Sequence, residues 1–260
     1  MKKLSLLIIV ILTAFSCNSQ KKETDLTKEN LKGKVKSYTE FSYKAIERFG
    51  KIEKGERRKQ KYSWNKDIQV KYNKKGNKIE MSFYNSDGSL SSKFIYKYDN
   101  KGNTIEMNSY NSDSSLNSKS IYKYDNKGNQ IEMSSYDLKG SLNSKYIYKY
   151  DNKGNQIEMS SYNLKGSLNS KDIYKYDNKG NQIEGSYYNS DGSLNWKYIY
   201  KYDTKENQIE GSYYNSDGSL DYKYIYKYDN FDKKGNWTKK ITFKNEIPDD
   251  ILERKFEYFE

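Results

Sequence analysis

From Leu142 to Asp151 the chain reads LNSKYIYKYD, and its large side chains recur at every second position. In an extended strand this spacing puts Leu142, Tyr146, Tyr148 and Tyr150 on one face, with Ile147 and Lys149 on the other. The following run, QIEMSSY (156–162), alternates as well: Ile157 and Met159 share one face, Glu158 and Tyr162 the opposite one. Between the runs stands Asp-Asn-Lys-Gly-Asn (151–155), and a second turn signal, Asn-Ser-Asp-Gly-Ser (189–193), recurs between other runs. Both place Gly after small polar residues, as hairpin turns with a left-handed residue require. No segment has a helical period, so the unit is two antiparallel strands. An even loop would set Ile157 and Met159 beside the tyrosines, and an odd one beside Ile147. The even loop is preferred, because it gathers Leu, Tyr, Ile and Met on one side.

The unit repeats. Ile95, Ile121, Ile147, Ile173, Ile199 and Ile225 are each 26 residues apart, as are Gly102, Gly128, Gly154 and Gly180. Glu206 stands at the next glycine position. Such fixed-period self-similarity marks a repeat array. The expected fold is all-β: an antiparallel hairpin meander forming an elongated, twisted or curled sheet, ~55–60 Å long at two strands per unit. The copies also covary. IEMSSY at 131–136 and 157–162 becomes IEGSYY at 183–188 and 209–214, so Met gives way to Gly185 as Tyr187 arrives. A ring can cover a strand glycine, so volume is moved rather than deleted. Residues 33–69 are expected to cap one edge, and residues 231–260 to close the other with a hairpin around Pro248, leaving 70–230 for the repeats. Gly235 marks the last turn of the Asp-Asn-Lys-Gly-Asn kind.

Composition narrows the function. The chain has no His and one Cys, which excludes an intrachain disulfide and removes the commonest general base and thiol nucleophile. Carboxylates such as Asp151 and Glu158 recur in every unit, whereas an active site needs a unique constellation. They read as turn caps and cross-strand partners of lysine, so no enzyme is expected. Asp-Asn-Lys-Gly-Asn is no calcium loop either, since Lys sits among the ligand positions and no bidentate Glu follows at the required distance. Neither metal nor cofactor is therefore expected. The net charge of +12 is concentrated before the repeats, around KGERRKQK (54–61), and reads as a solvated face rather than a nucleic-acid footprint. Tyr is used 29 times against 9 for Phe, which suits a face that is partly wet. Aromatic residues are densest in the later repeats, so Tyr187, Trp196, Tyr198, Tyr200, Tyr213 and Tyr222 form a candidate binding face for a polysaccharide or an envelope protein. Half-wet tyrosines also serve simply to pack a sheet.

The start, MKKLSLLIIVILTAFSC, has Lys2 and Lys3 ahead of an apolar run too short to span a bilayer. It resembles a bacterial lipoprotein signal peptide (1–16), which implies lipid on Cys17, a tether over 17–32 and attachment to the outer membrane. The usual Leu three residues before the cysteine is Ala14 here. The repeated Tyr-x-Tyr-Asp-x-x-Gly-Asn, as at 148–155, resembles the YD repeat of RHS-repeat proteins over about two-thirds of the chain. The ends LKGKVKSYTE and YDNFDKKGNWTKKI resemble those of small repeat lipoproteins of Bacteroidota. The resemblance implies spiralling β-hairpin sheets and, more distantly, an accessory role to a toxin or secretion system. An array this short cannot enclose a toxin domain. The expectation is a non-catalytic, lipid-anchored protein presenting an extended β-surface at the cell envelope, with a glycan- or protein-binding module as the alternative.

Overall fold

A computed structural model describes residues 24–58 and 67–260. The chain forms a short helix, α1 (Asp25–Lys28), and antiparallel strands that follow one another as hairpins. After β1 (Val35–Arg48) and β2 (Lys51–Arg57) come β3 (Asp67–Tyr72), β4 (Lys78–Tyr84) and a regular meander from β5 (Leu90–Tyr98) to β15 (Leu220–Tyr228). The hairpin of β16 (Lys239–Lys244) and β17 (Ile247–Tyr258) ends the chain, turning at Asn245 and Glu246 just ahead of Pro248. β1 pairs along Ser37–Glu40 with β3 and from Val35 to Lys44 with β17. First and last strands therefore meet, and the sheet closes into a 16-strand barrel. β2 lies off the ring, paired with the far half of β1 from Tyr43 to Arg48.

Closure into a barrel replaces the elongated, twisted or curled sheet expected from the sequence. Its physical origin is a β-bulge that the alternation pattern hides. In the hairpin of β9 (Leu142–Tyr150) and β10 (Gln156–Tyr162), Gln156 opposes Tyr150 but Glu158 opposes Lys149, which leaves Ile157 as the extra residue. The same shift recurs after each such turn, and a second occurs near the other end of each hairpin, as between Ser161 and Tyr162. Bulges bend strands and raise their twist, so a regular series of them rolls the sheet up. Closure also removes both edges, which an open array would have had to protect. The bulge splits the expected pairing of Ile157 and Met159. Met159 lies opposite Tyr148 on the tyrosine face, whereas Ile157 is 38% exposed.

The bulge also explains the last tyrosine of each YKY run. The ladder between β10 and β11 (Leu168–Tyr176) begins at Glu158, so the Gln156 carbonyl lies outside it. The Tyr176 hydroxyl donates to that carbonyl at 2.7 Å. Tyr124, Tyr150, Tyr202 and Tyr228 do the same for Thr104, Gln130, Gln182 and Gln208 at 2.8–2.9 Å. A backbone acceptor freed by the bulge is satisfied by the neighbouring hairpin.

The segment from Thr24 to Lys32, expected as the end of the tether, is packed across one mouth. Leu26 N–H donates to the Gly76 carbonyl, Asn30 Nδ2 to the Lys205 carbonyl at 3.2 Å, and Lys32 N–H to Asn236 Oδ1 at 2.7 Å. Along the wall, the turns holding Gly76 and Lys205 are ~29 Å apart by the shorter way. Four residues and one side chain reach less than ~20 Å, so the segment runs as a chord across the opening. Leu26 and Leu31 pack with Val35, Tyr38, Val70 and Tyr72 in the main buried cluster. Tyr72 and Tyr98 direct their hydroxyls to Glu29 and Asp25 of this plug, which fixes the tyrosine face as the inner one.

Candidate functional site

The inner wall is most aromatic over β12 (Gln182–Asn189), β13 (Leu194–Tyr202), β14 (Gln208–Asn215) and β15. Strand pairing sets Tyr187 opposite Trp196, Tyr198 opposite Tyr213, and Tyr213 opposite Tyr222. All the aromatic residues singled out in the sequence meet here. Tyr187 and Trp196 stack at 5.7 Å between centroids and 15° between planes, and Trp196 touches Tyr198 at 5.5 Å. Tyr198 packs on Tyr200 at 4.5 Å, Tyr213 stacks on Tyr222 at 4.6 Å, and the hydroxyls of Tyr200 and Tyr213 are 3.3 Å apart. Tyr224 and Tyr226 continue the surface, stacked at 6.1 Å. Lys244 Nζ lies 4.5 Å above the Tyr222 ring.

Two strand glycines let these rings lie flat. Tyr198 stands opposite Gly185, where a Cβ would fall 2.1 Å from its ring, and Tyr200 lies 3.4 Å from where a Cβ on Gly211 would be. A ring covers each glycine, as the covariation implied, but it comes from the partner strand and not from Tyr187. The wall is not sealed: Trp196 keeps 37% of its surface exposed. Burial among the rings raises the Tyr198 hydroxyl to about 12.

One member was missed. Asp172 on β11 faces inward, opposite Met159 on one side and Tyr187 on the other. Its place in the unit is filled by Tyr146 one repeat earlier and by Tyr198 one repeat later, and this break in the tyrosine column was the available signal. Desolvation pushes its carboxyl up to about 6.

Outside, the charges are paired. Glu106 lies 2.7 Å from both Lys97 and Lys119, whose hydrogen bonds bring its carboxyl down to about 2. Glu132, Glu184 and Glu210 are bracketed by two lysines in the same way, and Glu158 pairs with Lys149 at 2.9 Å. The lysines that each hairpin contributes on its own side, such as Lys123 and Lys149, keep 63% of their side chains exposed.

The remaining sequence candidates are turn residues. Gly102, Gly128, Gly154, Gly180 and Gly235 all have φ between 76° and 90° in the turns at the plugged end. There the Asp151 carboxylate accepts from Lys153 and Asn155 N–H, both at 2.9 Å, and from Asn155 Nδ2 at 2.8 Å. These acids are occupied by backbone. No cluster of His, Cys, Asp and Glu suited to a metal occurs among the described residues. A hollow of about 750 Å³ lies between the plug and the turns around Lys205 and Asn236. Cys17 and the last three residues of KGERRKQK (59–61) fall outside the described residues. Of the rest, Arg57 and Arg58 pair with Asp67 and Asp249 rather than standing free on a solvated face.

No family model matches the chain, and no curated protein matches it. Among solved structures, a porin-like protein from Bacteroides uniformis is similar at TM-score 0.47 and 10% identity, over 86% of this chain and 96% of that one. The Tc holotoxin pore of Photorhabdus luminescens matches at 0.33 and 10% identity, over 68% of this chain and 12% of that one. A DUF1329 family protein from Desulfovibrio piger matches at 0.26 and 10% identity, over 86% of each. Overlaps this loose fix neither family nor activity.

Proposed function

We propose that the protein is a non-catalytic binding barrel of the cell envelope, tethered to the outer membrane by lipid on Cys17, whose lumen takes a polysaccharide chain. The observation that carries this reading is the contiguous, partly open aromatic wall formed by Tyr187, Trp196, Tyr198, Tyr200, Tyr213 and Tyr222. Sugar rings present C–H faces that stack on such surfaces, and the tyrosine hydroxyls supply polar contacts at their rims. The mouths of β-barrels are common ligand sites. The wall is turned inward, so the site is a lumen and not the extended outer surface expected from the sequence.

The outer belt supports a barrel bathed in water. A membrane-spanning barrel needs an apolar outward band ~25 Å tall, whereas this one carries Lys–Glu–Lys rows on the outward face of its strands. The tether supplies the membrane attachment in this reading. Catalysis, nucleic acid and cofactors have no place in it. Titration of oligosaccharides by calorimetry tests the lumen: Trp196→Ala should weaken binding at least about tenfold, and a glycan panel that gives no heat with the wild type removes the reading. Cys17→Ser should move the protein from the membrane fraction to the soluble one, and unchanged partition ends the anchoring claim.

A further inference from the structure

Among the described residues, Asp172 is a carboxylate with no cation beside it. It is half-buried on the lumen wall, and among the described residues it makes neither hydrogen bond nor ion pair. Its neighbours are uncharged: Met159 and Tyr187 face it from β10 and β12, Tyr174 follows it on its own strand, and Tyr198 lies close by. The acids of the outer belt are bracketed by lysines, and the turn acids are bound by backbone amides. A repeat that placed tyrosine here, as the adjacent repeats do, would avoid the desolvation that Asp172 suffers.

The rings around it are arranged to receive a cation. Tyr187 stands directly opposite both Asp172 and Trp196, so the carboxylate and the indole lie two strands apart, ~10 Å. The stacked pair of Tyr187 and Trp196 forms the floor between them. Electron-rich ring faces attract ammonium groups, most strongly where water is partly excluded, and a carboxylate at the edge adds a charge-assisted hydrogen bond. Among the described residues, no lysine or arginine is set beside Asp172. Where the same wall meets a protein cation, at Lys244 over Tyr222, the geometry is that of a cation–π contact.

We propose that Asp172, with Tyr174, Tyr187, Trp196 and Tyr198, forms a subsite for a protonated primary amine carried on a saccharide, so that the lumen selects amino sugars with free amino groups. This deepens the polysaccharide reading and rests on it. The spacing of carboxylate and indole suits a disaccharide whose ammonium pairs with Asp172 while the next ring stacks on Trp196.

The test compares a fully deacetylated glucosamine tetramer, its N-acetylated counterpart and a simple diamine, titrated at pH 7.5 into wild type, Asp172→Asn and Asp172→Tyr. The tyrosine variant restores the residue found at positions 146 and 198, so it is compatible with the fold. The deacetylated tetramer should bind wild type about tenfold tighter than the acetylated one. Both variants should erase that preference, bringing the two tetramers to equal affinity within each variant. Equal affinities in wild type, or a preference that survives in both variants, overturn the amine subsite and leave the glycan reading standing. Diamine binding that depends on Asp172, with neither tetramer bound, upholds the cation site and overturns its saccharide half together with the glycan reading.

Discussion

At the scale of single residues, chemistry and packing separate by face. The tyrosine-rich face was legible because Tyr146, Tyr148 and Tyr150 alternate without interruption, whereas Leu142 was misplaced, since the second bulge sets it opposite the outward Tyr136. The six named rings meet because repeats 26 residues apart occupy adjacent hairpins. Asp172 was not legible as special, because a single acid in a chain rich in paired acids has no signature until its neighbours are known. Its pH behaviour follows from its surroundings. Its folded carboxyl titrates at about 6, above the 3.8 of a free aspartate, because burial beside Met159, Tyr174, Tyr187 and Tyr198 disfavours the charge. A raised pKa contributes stability in full below the unfolded value, and that contribution is lost as pH rises through the folded one. Asp172→Asn should therefore stabilise the empty protein on the order of 1 kcal/mol at pH 7.5, allowing for partial exposure, and by nothing below pH ~3.5. Thermal melts at the two pH values check this; an equal shift at both would locate the effect in something other than charge.

At the scale of the hairpin, the two turns and the strand type were readable from Gly, Asn and Asp, and the bulges were not. A bulge leaves no residue of its own in this sequence: Ile157 fits the alternation, and only the register of Gln156 and Glu158 reveals it as the extra residue. Its partner feature, the Tyr176 hydroxyl on the Gln156 carbonyl, was hidden for the same reason. The turns themselves are uneven. Ser114 and Glu206 take the left-handed conformation at φ 66° where the other repeats use glycine. A side chain there costs about 1 kcal/mol, so Ser114→Gly and Glu206→Gly should each raise the melting temperature. The gains should add, because the turns lie at opposite ends of the barrel and share no contacts. An unchanged melt for both would mean that hydrogen bonding within the turn already offsets the strain.

At the scale of the molecule, the repeat predicted a sheet but not its closure, because the local unit does not state how many copies complete a turn. Closure is fixed by long-range pairs such as Tyr38 with Phe256 and Glu40 with Arg254, whose guanidinium and carboxylate lie 2.7 Å apart. An open repeat array loses stability locally when its end is removed, since each unit contacts only its neighbours. A ring should not. Deleting residues 247–260 opens β1 and β16 together, and amide exchange should accelerate as far away as Tyr148 and Met159, halfway round the wall. Protection kept there would mean that the units hold independently of closure.

The plug acts as a gauge for the barrel's calibre. One more 26-residue unit would add two staves and widen the bore by ~3 Å. It would also carry Lys205 and Asn236 away from Asn30 and Lys32, which now reach them through one hydrogen bond and a reciprocal pair. In an open array a duplicated unit is nearly free to persist. Here the chord across the mouth counts the repeats, and a chain with one too many could not be stoppered by the same nine-residue stretch, 24–32.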